Sequence, residues 1–432
     1  MKVRSAKSIN GTISLPGDKS ISHRAALIAA IASGETRIEN FASSADCHST
    51  LDCLKALGVH IERHATTVLI SGVGKMGLTS PRSPLDCGNS GTTMRLLAGV
   101  LAGQPFSSIL TGDASLVQRP MRRIISPLTE MGAGIVSRDG APPLTITGHH
   151  PLTAIEHRPS AASAQIKSCV LLAGLNCDGE TAVIEPVPTR DHTERMLDWF
   201  GVDLKREATP GGSRISIRGG QTPSANDLSI AGDISSAAFF MTAAACLSGS
   251  DLTLPNVGIN PTRRAFVDVL RRLGTGTEIL DINTVCNEPV ATIRVSNRVG
   301  LPTNPSLSVL RGDVIANLID EIPILSVLGT QLEDGLEIRD AGELRVKESD
   351  RIESIVVNLR RMGANVTEFQ DGFRVERCSL KGAKVDSFRD HRIAMAFAVA
   401  GLLAEGETEI TGAEIADISF PGFFETLEGV VR

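Results

Sequence analysis

The sequence has 432 residues, enough for two or more domains, and its 42% hydrophobic and 21% charged residues are ordinary for a soluble globular protein. A formal net charge of −6 excludes a general nucleic-acid binder, so any basic site must be local. The eight cysteines show no CxxC or Cys/His spacing, which argues against a metal cage and for free thiols in a reducing cytoplasm. The longest apolar runs, near 237–247 and 393–404, are too short to span a bilayer, and Met1-Lys2-Val3-Arg4 does not open a signal peptide. With one Trp and no Tyr, the cores must be built from aliphatic residues and Ala.

The first unusual stretch is Leu15-Pro16-Gly17-Asp18-Lys19-Ser20-Ile21-Ser22-His23-Arg24, which follows an extended run and opens an Ala-rich helix. Free N–H groups and the positive end of the helix dipole face outward at such a start. A lysine, a hydroxyl and an arginine placed there make a receptor for an anion. The alternative is a capped helix with solvated charges.

Farther along, two patterns alternate. One is an amphipathic helix ending at Gly, seen at Leu57-Gly58, Met131-Gly132, Phe200-Gly201, Leu273-Gly274, Met362-Gly363 and weakly at Glu428-Gly429. These glycines suit a left-handed C-cap. The other is a small-residue apolar helix followed by Gly and an alternating strand, as at Ile31-Ala32-Ser33-Gly34 and Leu403-Ala404-Glu405-Gly406. The alternation divides the chain into six units of about seventy residues, each with two helices and several strands. The small-residue helices, apolar around most of their surface, should be buried, with the amphipathic ones outside. Six such units exceed one core, so two domains of three units are expected, with the change near Ile230-Ala231-Gly232-Asp233. The opening strand can belong to the second domain.

Residues at the helix starts carry the chemistry. Caps account for Asp46, Asp233 and Asn260. Caps do not account for Lys19, Arg24, Arg95, Arg119, Arg190, Lys347, Arg351 and Arg392, because a helix start favours negative side chains; these cations suggest a shared anionic ligand. Asp320, Glu321 and Glu348 are the carboxylates placed to sit among them, as general base or acid, or as ion-pair partner or cap. Asn89-Ser90-Gly91-Thr92-Thr93 would let backbone N–H groups approach a phosphate, yet no GxxxxGK[ST] or GxGxxG occurs in a supporting context. His23 and His391 read as packing or hydrogen-bonding residues.

On these residues the chain resembles the 5-enolpyruvylshikimate-3-phosphate synthase family. The resemblance runs through residues 15–24, Gly88-Asn89-Ser90-Gly91-Thr92 with Arg95, Gln118-Arg119-Pro120, Ser163-Ala164-Gln165, Gly232-Asp233-Ile234-Ser235-Ser236, 344–351 and Asp390-His391-Arg392. It implies an α/β enolpyruvyl transferase fold (an inverse α/β barrel) of six βαβαββ repeats, three per domain. One domain would comprise 1–15 plus 232–432 and the other 16–231, with the active site in the cleft between them and domain closure on binding. The implied reaction transfers the enolpyruvyl group of phosphoenolpyruvate to the 5-hydroxyl of shikimate 3-phosphate, without cofactor or metal. The resemblance assigns Lys19, Ser20, Arg24, Ser163, Ala164, Gln165, Asp320 and Lys347 to shikimate 3-phosphate, with Arg190 as a substitute phosphate ligand. It assigns Lys19, Gly91, Arg119, Gln165, Arg351 and Arg392 to phosphoenolpyruvate, and catalysis to Asp320, Glu348 and Lys19. It further implies a cytoplasmic monomer that glyphosate can inhibit, with no nucleic-acid or membrane partner.

Three positions depart from the family pattern. Ala164 stands where many relatives have a second Ser, Arg190 where they use aromatic or hydroxyl contacts, and Ile418 where they place a late Lys. The motifs around Lys19, Ser163, Arg190 and Asn260 resemble the bacterial subgroup that includes glyphosate-tolerant members, although Gly91 is retained where tolerant members can carry Ala. The related UDP-N-acetylglucosamine enolpyruvyl transferases need a reactive loop Cys, and no cysteine here has matching surroundings.

Overall fold

A computed structural model describes residues 1–297 and 308–432. The chain divides into two compact units. The terminal unit comprises Met1–Pro16, Ala231–Thr284 and Pro289–Arg432, and the inserted unit Gly17–Ile230 with Val285–Glu288. The tip of one β-hairpin, Val285–Glu288, therefore groups with the inserted unit although its two strands do not.

Within the inserted unit the helices are α1 (Lys19–Ile31), α2 (Ala45–Ala56), α3 (Gly91–Ala102), α4 (Arg122–Glu130), α5 (Ala164–Gly174) and α6 (His192–Trp199). The terminal unit carries α7 (Ile234–Cys246), α8 (Ala265–Arg272), α9 (Val314–Leu318), α10 (Ile322–Gly329), α11 (Arg351–Arg361), α12 (His391–Leu403) and α13 (Phe423–Val430). The small-residue helices are buried along nearly their whole length: from Ile21 to Ile31 every residue of α1 is buried, and so is every residue of α7 from Ile234 to Ala245. In contrast, α2, α4, α8 and α11 bury one face and expose the other. Small side chains let the inner helices approach closely. A Cβ on Gly99 of α3 would stand 2.3 Å from the Cys169 carbonyl oxygen on α5, so only glycine permits this crossing.

One sheet topology recurs. In the inserted unit, Ser33–Glu39 pairs antiparallel with Thr67–Val73, which pairs antiparallel with His60–His64. A short parallel strand, Leu228–Ser229, completes its other edge. That strand comes from the end of the unit and pairs with its beginning, which closes the unit on itself. The terminal unit closes with the chain's own start. Lys2–Arg4 pairs antiparallel with Glu407–Thr411, and Asn10–Thr12 pairs parallel with Asp251–Gly258. Apolar side chains of these sheets and the inner helices form one core in each unit.

Among the glycines expected at C-caps, Gly58 (φ 91°) and Gly363 (φ 87°) follow α2 and α11 in the left-handed conformation that a side chain would strain. The sixth copy differs: Gly429 lies inside α13, which runs on to Val430, so it caps nothing. Asp46 is a second correction. Ser44 caps α2 by accepting from the Cys47 N–H, which leaves the Asp46 carboxylate for another partner. Asp233 does cap α7, accepting from the Ser235 N–H at 2.9 Å.

Candidate active site

In the inserted unit most of the candidate side chains stand at or near the N-termini of the inner helices. Lys19 is the first residue of α1, behind the capping carboxylate of Asp18. Its Nζ lies 2.8 Å from Asp46 Oδ2, so a residue expected only to cap is the lysine's counter-ion. One turn on from Ser20, the buried Arg24 folds back. Its Nη1 donates to the Ser20 carbonyl at 2.8 Å, its Nε to Thr193 Oγ1 at 2.7 Å and its Nη2 to Ser168 Oγ at 2.9 Å. Burial, and then the neighbouring Arg190 guanidinium, bring the Arg24 pKa down to about 10. Two like charges are thus held close, an arrangement that a bound anion would relieve.

A second group surrounds the start of α3. Ser90 caps the helix by accepting from the Thr93 N–H at 3.0 Å, and Gly91 follows as its first residue. A Cβ on Gly91 would meet Arg95 Nη1 at 2.8 Å and Arg119 Nη1 at 3.4 Å, so both guanidiniums lie against the bare glycine. Arg119, itself buried, donates from Nη2 to Asn89 Oδ1 at 2.7 Å and to Ser115 Oγ at 3.2 Å. Arg95 Nη1 donates to Gln165 Oε1 at 2.7 Å, and Gln165 Nε2 donates to Thr92 Oγ1 at 2.9 Å, tying α5 to α3. Ser163 is the N-cap of α5, accepting from the Ile166 N–H, and Ala164 is the first residue of that helix. Because Ser163 Oγ accepts there, its hydroxyl proton remains available to a ligand oxygen.

Hydroxyls register these helices against each other. His23 Nδ1 and Thr50 Oγ1 are 2.7 Å apart, and Thr50 Oγ1 and Thr93 Oγ1 are 2.7 Å apart. Burial, with Lys19 and Arg24 nearby, pushes His23 well below its ordinary pKa, so it is a neutral hydrogen-bonding residue.

The terminal unit brings the candidate acid–base residues together. Asp320 stands on the turn before α10, ringed by three guanidiniums. Its Oδ2 is 3.5 Å from Arg263 Nη1, and its Oδ1 is 3.5 Å from Arg351 Nη1 and 3.6 Å from Arg392 Nε. Its backbone carbonyl also accepts from Arg392 Nη1 at 2.9 Å. Arg351 opens α11 and is 1% exposed; Nε donates to Asp390 Oδ2 at 2.7 Å and Nη2 to Glu348 Oε2 at 2.6 Å. Burial opposes its charge, but Asp390, Glu348 and Asp320 outweigh burial and hold its pKa above the ordinary arginine value. Lys347 is half-buried, and burial lowers its pKa against the opposing pull of Asp320.

All five terminal-unit residues expected at the site, Asp320, Lys347, Glu348, Arg351 and Arg392, therefore fall in one cluster. Those of the inserted unit form two groups, around Arg24 and around Gly91. Arg263 and Asp390 join this cluster without a local signal that marks them as site residues. Arg263 reaches it through Asp320, and Asp390, which caps α12 by accepting from the Arg392 N–H at 2.9 Å, also accepts from Arg351. Glu321 accepts a short hydrogen bond from Ser235 Oγ and is buried, so it neither pairs with a cation through that oxygen nor caps α10. Ile418 ends a 3₁₀ turn, Ala413–Ile418, and brings no charge.

Among the described residues, no three or more His, Cys, Asp or Glu side chains are grouped to hold a metal ion, and no helix is long and apolar enough to cross a membrane. All eight cysteines are free thiols.

Comparison with known proteins identifies the family. The family description "EPSP synthase (3-phosphoshikimate 1-carboxyvinyltransferase)" matches residues 3–427. The chain is 47% identical over 432 residues to the 3-phosphoshikimate 1-carboxyvinyltransferase of Brevibacillus brevis, covering 99% of both chains. It is 46% identical over 429 residues to that of Bacillus thuringiensis strain Al Hakam, covering 98% of this chain and 97% of the relative. Among solved structures it is similar to the EPSP synthase of Acinetobacter baumannii, with a TM-score of 0.87 and 41% identity over 99% of this chain and 97% of that one. The protein belongs to the EPSP synthase family.

Proposed function

We propose that the chain carries out the reaction of its family, transferring the enolpyruvyl group of phosphoenolpyruvate to the 5-hydroxyl of shikimate 3-phosphate and releasing phosphate. The observation that carries the reading is Asp320 within 3.6 Å of three guanidiniums, with Glu348 on one of them. This is a proton acceptor and a second carboxylate set among cations suited to a phosphate and a carboxylate.

In this reading Asp320 takes the proton of the 5-hydroxyl as its oxygen attacks C2 of phosphoenolpyruvate. Glu348, with Lys19 sharing the transfer, supplies a proton to C3, giving a tetrahedral ketal phosphate. The C2–O bond to phosphate then breaks, phosphate departs, and the C3 methyl returns a proton, so the double bond reforms. Fixed cations stabilise the charge that moves onto the phosphate oxygens. Lys19, Ser20, Arg24, Ser163, Gln165, Arg190 and Lys347 hold shikimate 3-phosphate, with Ala164 contributing only its backbone. Gly91, Arg119, Gln165, Arg351 and Arg392 hold phosphoenolpyruvate, and Lys19 touches both. The repulsion between Arg24 and Arg190 supports placing the shikimate phosphate between them.

The same reading has the chain acting as a monomer in the cytoplasm, where its free thiols stay reduced. Glyphosate, itself a phosphonate and a carboxylate, competes for the phosphoenolpyruvate cations, more weakly than in sensitive relatives. An inhibition constant near the KM for phosphoenolpyruvate would overturn that weaker binding. Phosphate release from the two substrates, abolished in Asp320→Ala while shikimate 3-phosphate still binds, tests the main reading. Turnover with UDP-N-acetylglucosamine in place of shikimate 3-phosphate would sink it.

A further inference from the structure

Arg24 is held by a second residue pair that the family resemblance leaves without a role. Its Nε donates to Thr193 Oγ1 at 2.7 Å and its Nη2 to Ser168 Oγ at 2.9 Å, and all three side chains are buried. The two hydroxyl oxygens are 2.6 Å apart, and Ser168 Oγ also lies 2.6 Å from the Ala164 carbonyl. Proton counting fixes the direction. A carbonyl can only accept, so the Ser168 hydroxyl donates to Ala164, and Thr193 must donate to Ser168. Thr193 oxygen is then free to accept from Arg24 Nε, and Ser168 oxygen from Nη2.

With Nη1 on the Ser20 carbonyl, three of the five guanidinium N–H bonds are committed. One N–H remains on each terminal nitrogen for the oxygens of an anionic ligand. Thr193 is itself pinned, because its neighbours on α6 are both tied down, Glu194 by an ion pair and His192 by a hydrogen bond. Glu194 Oε1 lies 2.7 Å from Lys167 Nζ, and His192 Nδ1 lies 2.7 Å from Glu288 Oε1.

We propose that Thr193, together with Ser168, is a positioning residue that sets the plane of the Arg24 guanidinium for recognition of an anionic group of shikimate 3-phosphate. The inference rests on the assignment of Arg24 to that substrate. Replacing the Thr193 hydroxyl by a methyl leaves Nε–H without its acceptor and lets the guanidinium turn, while the charge remains.

Steady-state kinetics of Thr193→Val test it. The KM for shikimate 3-phosphate should rise about tenfold, the usual scale for one buried hydrogen bond to a charge, while the KM for phosphoenolpyruvate stays put and kcat changes much less. Thr193→Ser, which restores the hydroxyl, should bring the shikimate 3-phosphate KM back. Should Thr193→Val fail to fold, Ser168→Ala removes the other link, and the same selective rise is expected. An unchanged shikimate 3-phosphate KM, or both KM values rising together without rescue by serine, overturns the positioning role. Arg24→Lys separates the two levels of the argument. If it too leaves the shikimate 3-phosphate KM unchanged, the assignment of Arg24 fails and this inference with it. If it raises that KM and Thr193→Val does not, only the positioning role is lost.

Discussion

Glu348 Oε2 lies 2.6 Å from Arg351 Nη2, so the proposed proton donor is held, before substrate arrives, by a cation proposed to receive phosphoenolpyruvate. An incoming anion that takes over Arg351 would release Glu348 from its cation, which favours the protonated, donating form of the carboxyl. Substrate binding and the arming of the acid are then one event. Glu348→Gln removes the proton but keeps the shape, so kcat should fall by about 10²–10⁴, the usual worth of a positioned acid. The KM for phosphoenolpyruvate should not rise, because a competitor for Arg351 has been weakened. A variant that retains its kcat would remove Glu348 from the proton transfer.

The contact of Gly91 with two arginines makes that position sensitive to a single methyl group. In Gly91→Ala the new Cβ would stand 2.8 Å from Arg95 Nη1, which is bonded to Gln165. The end of a long side chain can move, so the fold should survive with little change in melting temperature. The displaced guanidinium would, however, drag on Gln165 and crowd Arg119, and the KM for phosphoenolpyruvate should rise about tenfold, equivalent to one lost charge-assisted hydrogen bond. A normal KM would mean that phosphoenolpyruvate does not use this corner.

How far the site was legible in the sequence follows from the range of the forces involved. Lys19, Gly91, Ser163, Arg351 and Arg392 stand at or beside helix starts, and a helix start is a local signal carried by a few adjacent residues. The burial of the small-residue helices was equally legible, since it follows from their own composition. What could not be read is contact between distant segments. Asp46 looks like a cap until the fold brings it to Lys19, 27 residues away. Arg263 meets Asp320 and Thr193 meets Arg24 only through tertiary packing, and neither pairing leaves a mark in local spacing.

The depressed pKa of Lys347 gives the reaction an alkaline limit with a definite sign. Burial lowers its pKa, so the ammonium loses its charge as the pH rises, earlier than an ordinary lysine would. Binding of shikimate 3-phosphate would favour the charged form, so the limb should appear in kcat/KM for that substrate and be weaker in kcat. Lys347→Arg keeps its charge throughout this range and should remove the part of the limb that the lysine contributes. Arg24, brought down to about 10, also discharges at high pH, but it does so in both proteins, so the comparison isolates the lysine. If the limb is the same in the arginine variant, Lys347 does not contact the substrate.

Lys167 tests the frame rather than the chemistry. It is 1% exposed on α5, with Nζ 2.8 Å from Glu185 Oε2 and 2.7 Å from Glu194 Oε1. Burial opposes its charge, but Glu194 and Glu185 outweigh burial and hold its pKa above the ordinary value. The stabilisation is therefore fully present below the pKa of an unfolded lysine and is lost only as the pH climbs through the higher folded value. Lys167→Met would leave two carboxylates buried without their cation, which costs about 3–5 kcal/mol when one partner of a buried ion pair is removed. Protonating one of the two carboxylates relieves that repulsion, so the deficit should shrink as the pH falls from 7 toward 5, the opposite of a simple packing defect. Denaturant unfolding of both proteins at the two pH values measures it. A deficit independent of pH would mean that Lys167 serves the core by its volume alone. A deficit that shrinks would show that its charge anchors Glu194, and with it the turn of α6 that presents Thr193 to Arg24.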